Sequence, residues 1–181
     1  MTLRHIRLAD LPDILWKNGA GTTRLLNEQP EWRLSVAFIT GPAPFSVFPG
    51  ILRQTGLLKG QGVQIIPAPN SPALRLERLG SILTYSGDLP MTGIPLAGPV
   101  EVLNLMRPQE AAGPTLISIT SEQPLPNSLL AFVVVQNRWT VASDHQHYQL
   151  APGDILLGDR PFALTILKTE STLRPIAYGI M

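Results

Sequence analysis

Phe132–Val133–Val134–Val135–Gln136–Asn137–Arg138–Trp139–Thr140–Val141 sets two short runs rich in β-branched and aromatic residues around a polar turn. Runs this brief suit strands, whereas a helix needs a longer window with apolar side chains three and four apart. The segment therefore reads as a hairpin. Leu57–Leu58–Lys59 and Val63–Gln64–Ile65–Ile66 repeat the pattern around Gly60–Gln61–Gly62. Trp32 to Phe38 alternates large apolar with small or polar side chains, as a half-buried strand does. Further strands fit Leu74–Leu76, Val100–Leu105, Leu116–Thr120, Tyr148–Leu150, Ile155–Leu157, Ala163–Leu167 and Ile176–Ile180. No window of twelve or more residues carries helical apolar spacing free of Pro and Gly, so at most a short helical turn fits Ala9–Ile14. The expected fold class is all-β, an antiparallel sandwich or barrel.

A loose duplication accompanies these strands. Each hairpin is followed by a Gly-Asp turn, first Tyr85–Ser86–Gly87–Asp88 and then Ala151–Pro152–Gly153–Asp154. The Pro-Gly-Asp turn resembles one that recurs in cupins, small double-sheet jelly rolls. Two such turns imply a bicupin, two antiparallel jelly-roll β-barrels packed together. The first cupin-like unit is expected over residues 1–107, the connecting segment over 108–114 and the second unit over 115–181. Pro108, Gly113 and Pro114 interrupt the strands at that seam.

Composition bounds the function. The 181 residues suffice for a sizeable core and include no cysteine, which excludes thiolate metal sites, iron–sulfur clusters and cysteine nucleophiles. Basic and acidic side chains number 14 and 13, leaving +1, too little to steer nucleic acid or an anionic membrane. The longest apolar run, Leu129 to Val135, is seven residues and cannot span a bilayer. Arg4 and Arg7 precede Asp10, Pro12 and Asp13 with no apolar h-region between, so a cytoplasmic protein is expected.

Three segments concentrate the chemistry. Trp16–Lys17–Asn18–Gly19–Ala20–Gly21–Thr22–Thr23–Arg24 crowds polar donors beside glycines, either as a cradle for a small polar or anionic ligand or as a solvated loop. Phe45–Ser46–Val47–Phe48–Pro49–Gly50, with Arg53 after it, reads as a rigid loop entering a strand. Asn104 lies within the apolar strand Val100–Leu105 and, if buried, must bridge structure or contact a ligand.

In this order the segments resemble the HutD/Ves family. The matching residues are Trp16, Asn18, Gly21, Thr23 and Arg24, then Phe45, Ser46, Phe48, Pro49, Gly50 and Arg53, then Asn104 and Met106; Trp32, Arg33 and Ser35 fit a further family strand. The resemblance implies a bicupin without bound metal or cofactor and without established enzymatic activity. It also implies, for members linked to histidine utilisation, binding of a pathway intermediate or restraint of that pathway. Leu25, Leu52 and Val102 stand where the family usually has acidic residues, so Arg24 and Arg53 are expected to lack counter-charges.

Other chemistries fit less well. His145–Gln146–His147 has the first element of a cupin metal site, but Ala151 stands where the Glu ligand belongs and no later histidine follows. Surface histidines on a hairpin tip are the better reading. There is no Gly-x-Ser-x-Gly for a serine hydrolase. A metal-free isomerase or epimerase, or an interaction protein without ligand, stays open. The expected function is metal-independent binding of a small, anionic molecule, with a regulatory role. Asn18, Thr23, Arg24, Arg53 and Asn104 are the expected polar contacts, and Trp16 and Phe48 the apolar wall. Edge strands that pair between copies leave a homodimer open.

Overall fold

The computed structural model describes residues 2–67, 71–170 and 173–181. The chain opens with β1 (Leu3–Arg7) and a single 3-10 turn at Leu8–Asp10, which stands where the short helical turn was expected. Ten strands follow: β2 (Ile14–Leu15), β3 (Gly21–Gln29), β4 (Trp32–Ile39), β5 (Ala43–Phe45), β6 (Ile51–Lys59), β7 (Val63–Pro67), β8 (Leu74–Leu76), β9 (Ile82–Ser86), β10 (Met91–Pro95) and β11 (Val100–Pro108). The last seven are β12 (Leu116–Ile119), β13 (Leu129–Gln136), β14 (Trp139–Ser143), β15 (Gln146–Leu150), β16 (Asp154–Phe162), β17 (Thr165–Thr169) and β18 (Ile176–Ile180). The protein is all-β, and every ladder is antiparallel.

Two compact units form, one from Pro12–Gly113 and one from Pro114–Met181 together with the residues up to Leu11. The N-terminal residues thus leave the unit expected over 1–107. β1 pairs along its length with β16, from Leu3 opposite Gly158 to Arg7 opposite Asp154. His5 Nε2 lies 3.2 Å from the Asp154 carboxylate, and the Leu8 amide donates to Gly153 at 2.9 Å. The other boundary, at Gly113, falls inside the expected connecting segment.

In the Pro12–Gly113 unit a six-stranded sheet, β2-β3-β4-β11-β6-β9, faces a four-stranded one, β5-β10-β7-β8. Ala37, Ile39, Leu57 and Val102 of the first meet Val63, Ile65, Leu76 and Met91 of the second in one buried cluster. The other unit repeats the scheme with sheets β1-β16-β13-β18-β12 and β15-β14-β17, packed through Phe132, Leu156, Trp139, Val141 and Leu150. Among the described residues each unit holds two open sheets, and no ladder closes into the expected barrel.

The two expected hairpins turn out to be corners. β6 pairs with β11 and β9, and β7 with β10 and β8, so Gly60–Gln61–Gly62 carries the chain from one sheet to the other. Gln136–Asn137–Arg138 does the same between β13 and β14. Positive φ at Gly60, Gly62 and Asn137 lets the backbone reverse. A Cβ on Gly62 would lie 2.4 Å from the Leu76 carbonyl oxygen. Both Gly-Asp turns are corners as well, joining β9 to β10 and β15 to β16.

Candidate functional site

β-Strand alternation and register assemble the site. Side chains two apart on a strand share a face, so Arg33 and Ser35 of β4, Arg53 and Thr55 of β6, and Asn104 and Met106 of β11 point the same way. Pairing then sets Asn104 opposite Ser35 on one side and Thr55 on the other. Met106 likewise stands between Arg33 and Arg53, and Arg53 pairs onward with Tyr85. Over these two rows lies a cavity of about 580 Å³, lined also by Leu15 to Asn18 and by Pro44, Phe45, Ser46 and Phe48. Small-molecule sites commonly span roughly 300–1,000 Å³.

Arg53 is the decisive side chain. It is 6 % exposed, and among the described residues no carboxylate pairs with it and no acceptor meets its Nε. Aromatic rings surround it instead. The guanidinium carbon lies 5.3 Å from the Phe45 ring centre, 5.9 Å from that of Phe48 and 5.3 Å from that of Tyr85. Burial lowers its pKa from the ordinary value; Tyr85 opposes the shift and Arg33 adds to it. An arginine nonetheless remains charged.

Arg24, predicted beside Arg53 as an anion ligand, is elsewhere. Thr23 lines the cavity, so its strand neighbour Arg24 projects from the opposite face. There Arg24 Nε donates to Asp13 Oδ1 at 2.8 Å and Nη2 to Oδ2 at 3.2 Å. The hydrogen bond to Asp13 raises the Arg24 pKa, and the same pairing holds the Asp13 carboxyl below its usual value. Its expected lack of a counter-charge is corrected by Asp13, eleven residues upstream.

The other expected contacts are at the cavity. Trp16 donates its indole N–H to Thr23 Oγ1 at 2.7 Å and packs edge-on against Phe45, ring centres 6.3 Å apart. Gly21 is required here, since a Cβ would lie 2.4 Å from the Phe38 carbonyl oxygen and 3.2 Å from the Trp16 ring. Asn18 reaches the rim, where its amide clips the loop: Oδ1 accepts from the Ala20 N–H at 3.1 Å and Nδ2 donates to the Pro44 carbonyl at 3.5 Å. Thr55 donates to Asn104 Oδ1 at 2.8 Å and sits 2.9 Å from the Tyr85 hydroxyl.

Phe48 is held from outside. Its N–H donates to the Gly87 carbonyl at 2.8 Å, and the Gly50 N–H donates to Asp88 Oδ1 at 2.6 Å. Asp88 also accepts from Ser86, and these bonds, Ser86 first, keep its carboxyl below the ordinary range.

Arg33, Thr55 and Phe45 were not among the expected contacts, and Tyr85 was expected near the pocket without an assigned role. Counting by two from Arg53 reaches Thr55, but Tyr85 enters only through the β6–β9 register. Arg33 Nε lies 3.2 Å from Glu28 Oε1, near enough for an ion pair though not aligned for a hydrogen bond. Lys17, Arg33 and Arg53 line the cavity, and no Asp, Glu or His does. Among the described residues the cavity lining thus offers no carboxylate or imidazole base. His145 and His147 are exposed at the β14–β15 turn, and among the described residues no group of three His, Asp or Glu side chains could share a metal ion.

Comparison with known proteins places this architecture. The HutD family pattern matches residues 8–173. This chain belongs to the HutD family. Within reach of it are protein Ves of Citrobacter koseri, 35% identical over 92 residues, or 48% of this chain and 47% of that protein. An uncharacterised Pseudomonas putida protein encoded in the 3′ region of hutC is 30% identical over 113 residues, 58% of this chain and 57% of that one. The alignments thus span about half the length of these curated relatives. A conserved protein of unknown function from Pseudomonas aeruginosa superposes with a TM-score of 0.80 at 25% identity, over 99% of this chain and 97% of that one. A cupin 2 conserved barrel domain protein from Leptotrichia buccalis gives 0.64 at 12% identity, over 98% and 95%, which shows that the HutD-family fold is cupin-like. No helix among the described residues is long and apolar enough to cross a membrane.

Proposed function

We propose that the Pro12–Gly113 unit is a metal-independent receptor for a small anionic molecule. One observation carries the reading: among the described residues, a buried guanidinium has no counter-charge and is ringed by aromatic side chains at a cavity without an acidic lining residue. Removing such a charge from water costs several kcal/mol by rough estimate, a cost that an incoming anion offsets. Arg53 holds the anionic group, Asn104 and Thr23 orient it, and Trp16 and Phe48 form the apolar wall. Lys17 supplies further positive charge near the rim, while Arg33 is paired with Glu28. The relative encoded beside hutC, with the family's link to histidine utilisation, supports a regulatory role in histidine catabolism. The two sheet pairs are read as the two cupin units of a bicupin.

The test is a thermal-shift screen of small carboxylates, with intermediates of histidine breakdown among them. A hit should be lost in Arg53→Ala and kept in Arg24→Ala, because Arg24 lies on the far face of its strand. A hit that survives Arg53→Ala removes this site from consideration.

A further inference from the structure

Two polar groups facing the cavity have their acceptor atoms engaged from the surrounding wall. Thr23 Oγ1 accepts the Trp16 indole N–H, which leaves the threonine proton free to donate. Asn104 Oδ1 accepts the Thr55 hydroxyl at 2.8 Å. Thr55 has one proton, and it is spent there, so in the 2.9 Å contact between Thr55 and Tyr85 the tyrosine is the donor. The chain Tyr85 to Thr55 to Asn104 therefore runs one way and ends on the Asn104 Nδ2 protons. Asn104 is 5 % exposed and lines the cavity, and among the described residues its side chain is hydrogen-bonded through Oδ1, which leaves Nδ2 open to the cavity. Arg53, a donor only, is the diagonal neighbour of Asn104 on the same sheet face, within reach of a long side chain.

We infer that this wiring makes the floor of the cavity a surface of donors, which selects a deprotonated carboxylate over a carboxamide or a protonated acid, with Thr55 as the positioning residue. The inference rests on the receptor reading above and gives its ligand a defined head group. A carboxylate offers acceptors alone, so it satisfies Arg53 and the Asn104 amide together. A carboxamide brings N–H groups that face other N–H groups and leave buried donors unpaired. Thr55 matters because its hydroxyl proton holds Asn104 Oδ1 to the wall; without that hydroxyl the amide can turn its oxygen inward.

Benzoate and benzamide, nearly equal in shape, are the probes, titrated into the full chain and followed by NMR. Wild type should prefer benzoate by about tenfold or more, as expected where buried donors would otherwise go unpaired. Thr55→Val keeps the side chain's shape without its hydroxyl and should reduce that preference to about threefold or less through tighter benzamide binding. Thr55→Ser, which retains the hydroxyl, should keep the wild-type ratio. In unliganded protein the Asn104 side-chain amide signals should shift or broaden in Thr55→Val. An unchanged ratio, or amide signals that do not move, overturns the wiring. Failure of wild type to bind either probe counts against the receptor reading itself, and the amide signals then still decide the wiring because they need no ligand.

Discussion

Arg53 pits function against stability. Desolvating a guanidinium costs several kcal/mol by rough estimate, whereas each ring contact returns about 0.5–2 kcal/mol. With three rings and no carboxylate partner among the described residues, the contacts leave part of that cost uncovered in the empty protein unless each reaches the top of its range. Arg53→Met, which fills the same space without charge, should therefore raise unliganded stability by about 1 kcal/mol or more in urea unfolding. It should also abolish anion binding. A lower stability would mean that the ring contacts outweigh desolvation. Thr23 and Arg24 illustrate the same scale: adjacent in one motif, they are separated by the pleat, and only the threonine meets the cavity.

Among the elements, the corner after β9 fixes the cavity wall. Asp88 ties the Phe48–Gly50 loop to this corner through the Gly50 N–H and the Ser86 hydroxyl. Because its carboxyl is lowered in the folded state, the tie stabilises at pH above the unfolded carboxyl value and is lost as pH falls through the folded one. Asp13, lowered by Arg24, acts in the same direction. The melting temperature should hold down to about pH 5 and decline below about pH 4. Asp88→Asn should lower the neutral-pH midpoint and flatten the acid decline; an identical pH profile in that variant would exclude the tie as a cause. Phe45 also depends on a glycine, since a Cβ on Gly93 would lie 2.3 Å from its ring.

At the scale of the molecule, β1 belongs to the C-terminal unit and covers an edge of its five-stranded sheet. Deleting residues 1–11 strips that edge from β16 and leaves unpaired backbone groups that template association. The truncated protein should melt at lower temperature and aggregate by light scattering. An unchanged melting midpoint would show that the strand adds nothing to that sheet. The duplication also acts at this scale, because in each unit a polar turn and a Gly-Asp turn carry the chain between two sheets.

Strand periodicity, turn chemistry and the order of the three motifs were enough to read an all-β, cupin-like chain of the HutD family with Asn104 and Arg53 at a cavity. These are local properties, written in two-residue alternation and in the backbone freedom of Gly and Asn. Partnership was not local. A polar turn looks the same whether its strands pair or part into different sheets, so the Gly60–Gly62 and Gln136–Arg138 corners read as hairpins. The Asp13 partner of Arg24, the rings of Phe45 and Tyr85 around Arg53, and the place of β1 all depend on which distant strands share a ladder. Hydrogen-bond register across the sheets decided those, because it alone sets which side chains of separated segments come into contact.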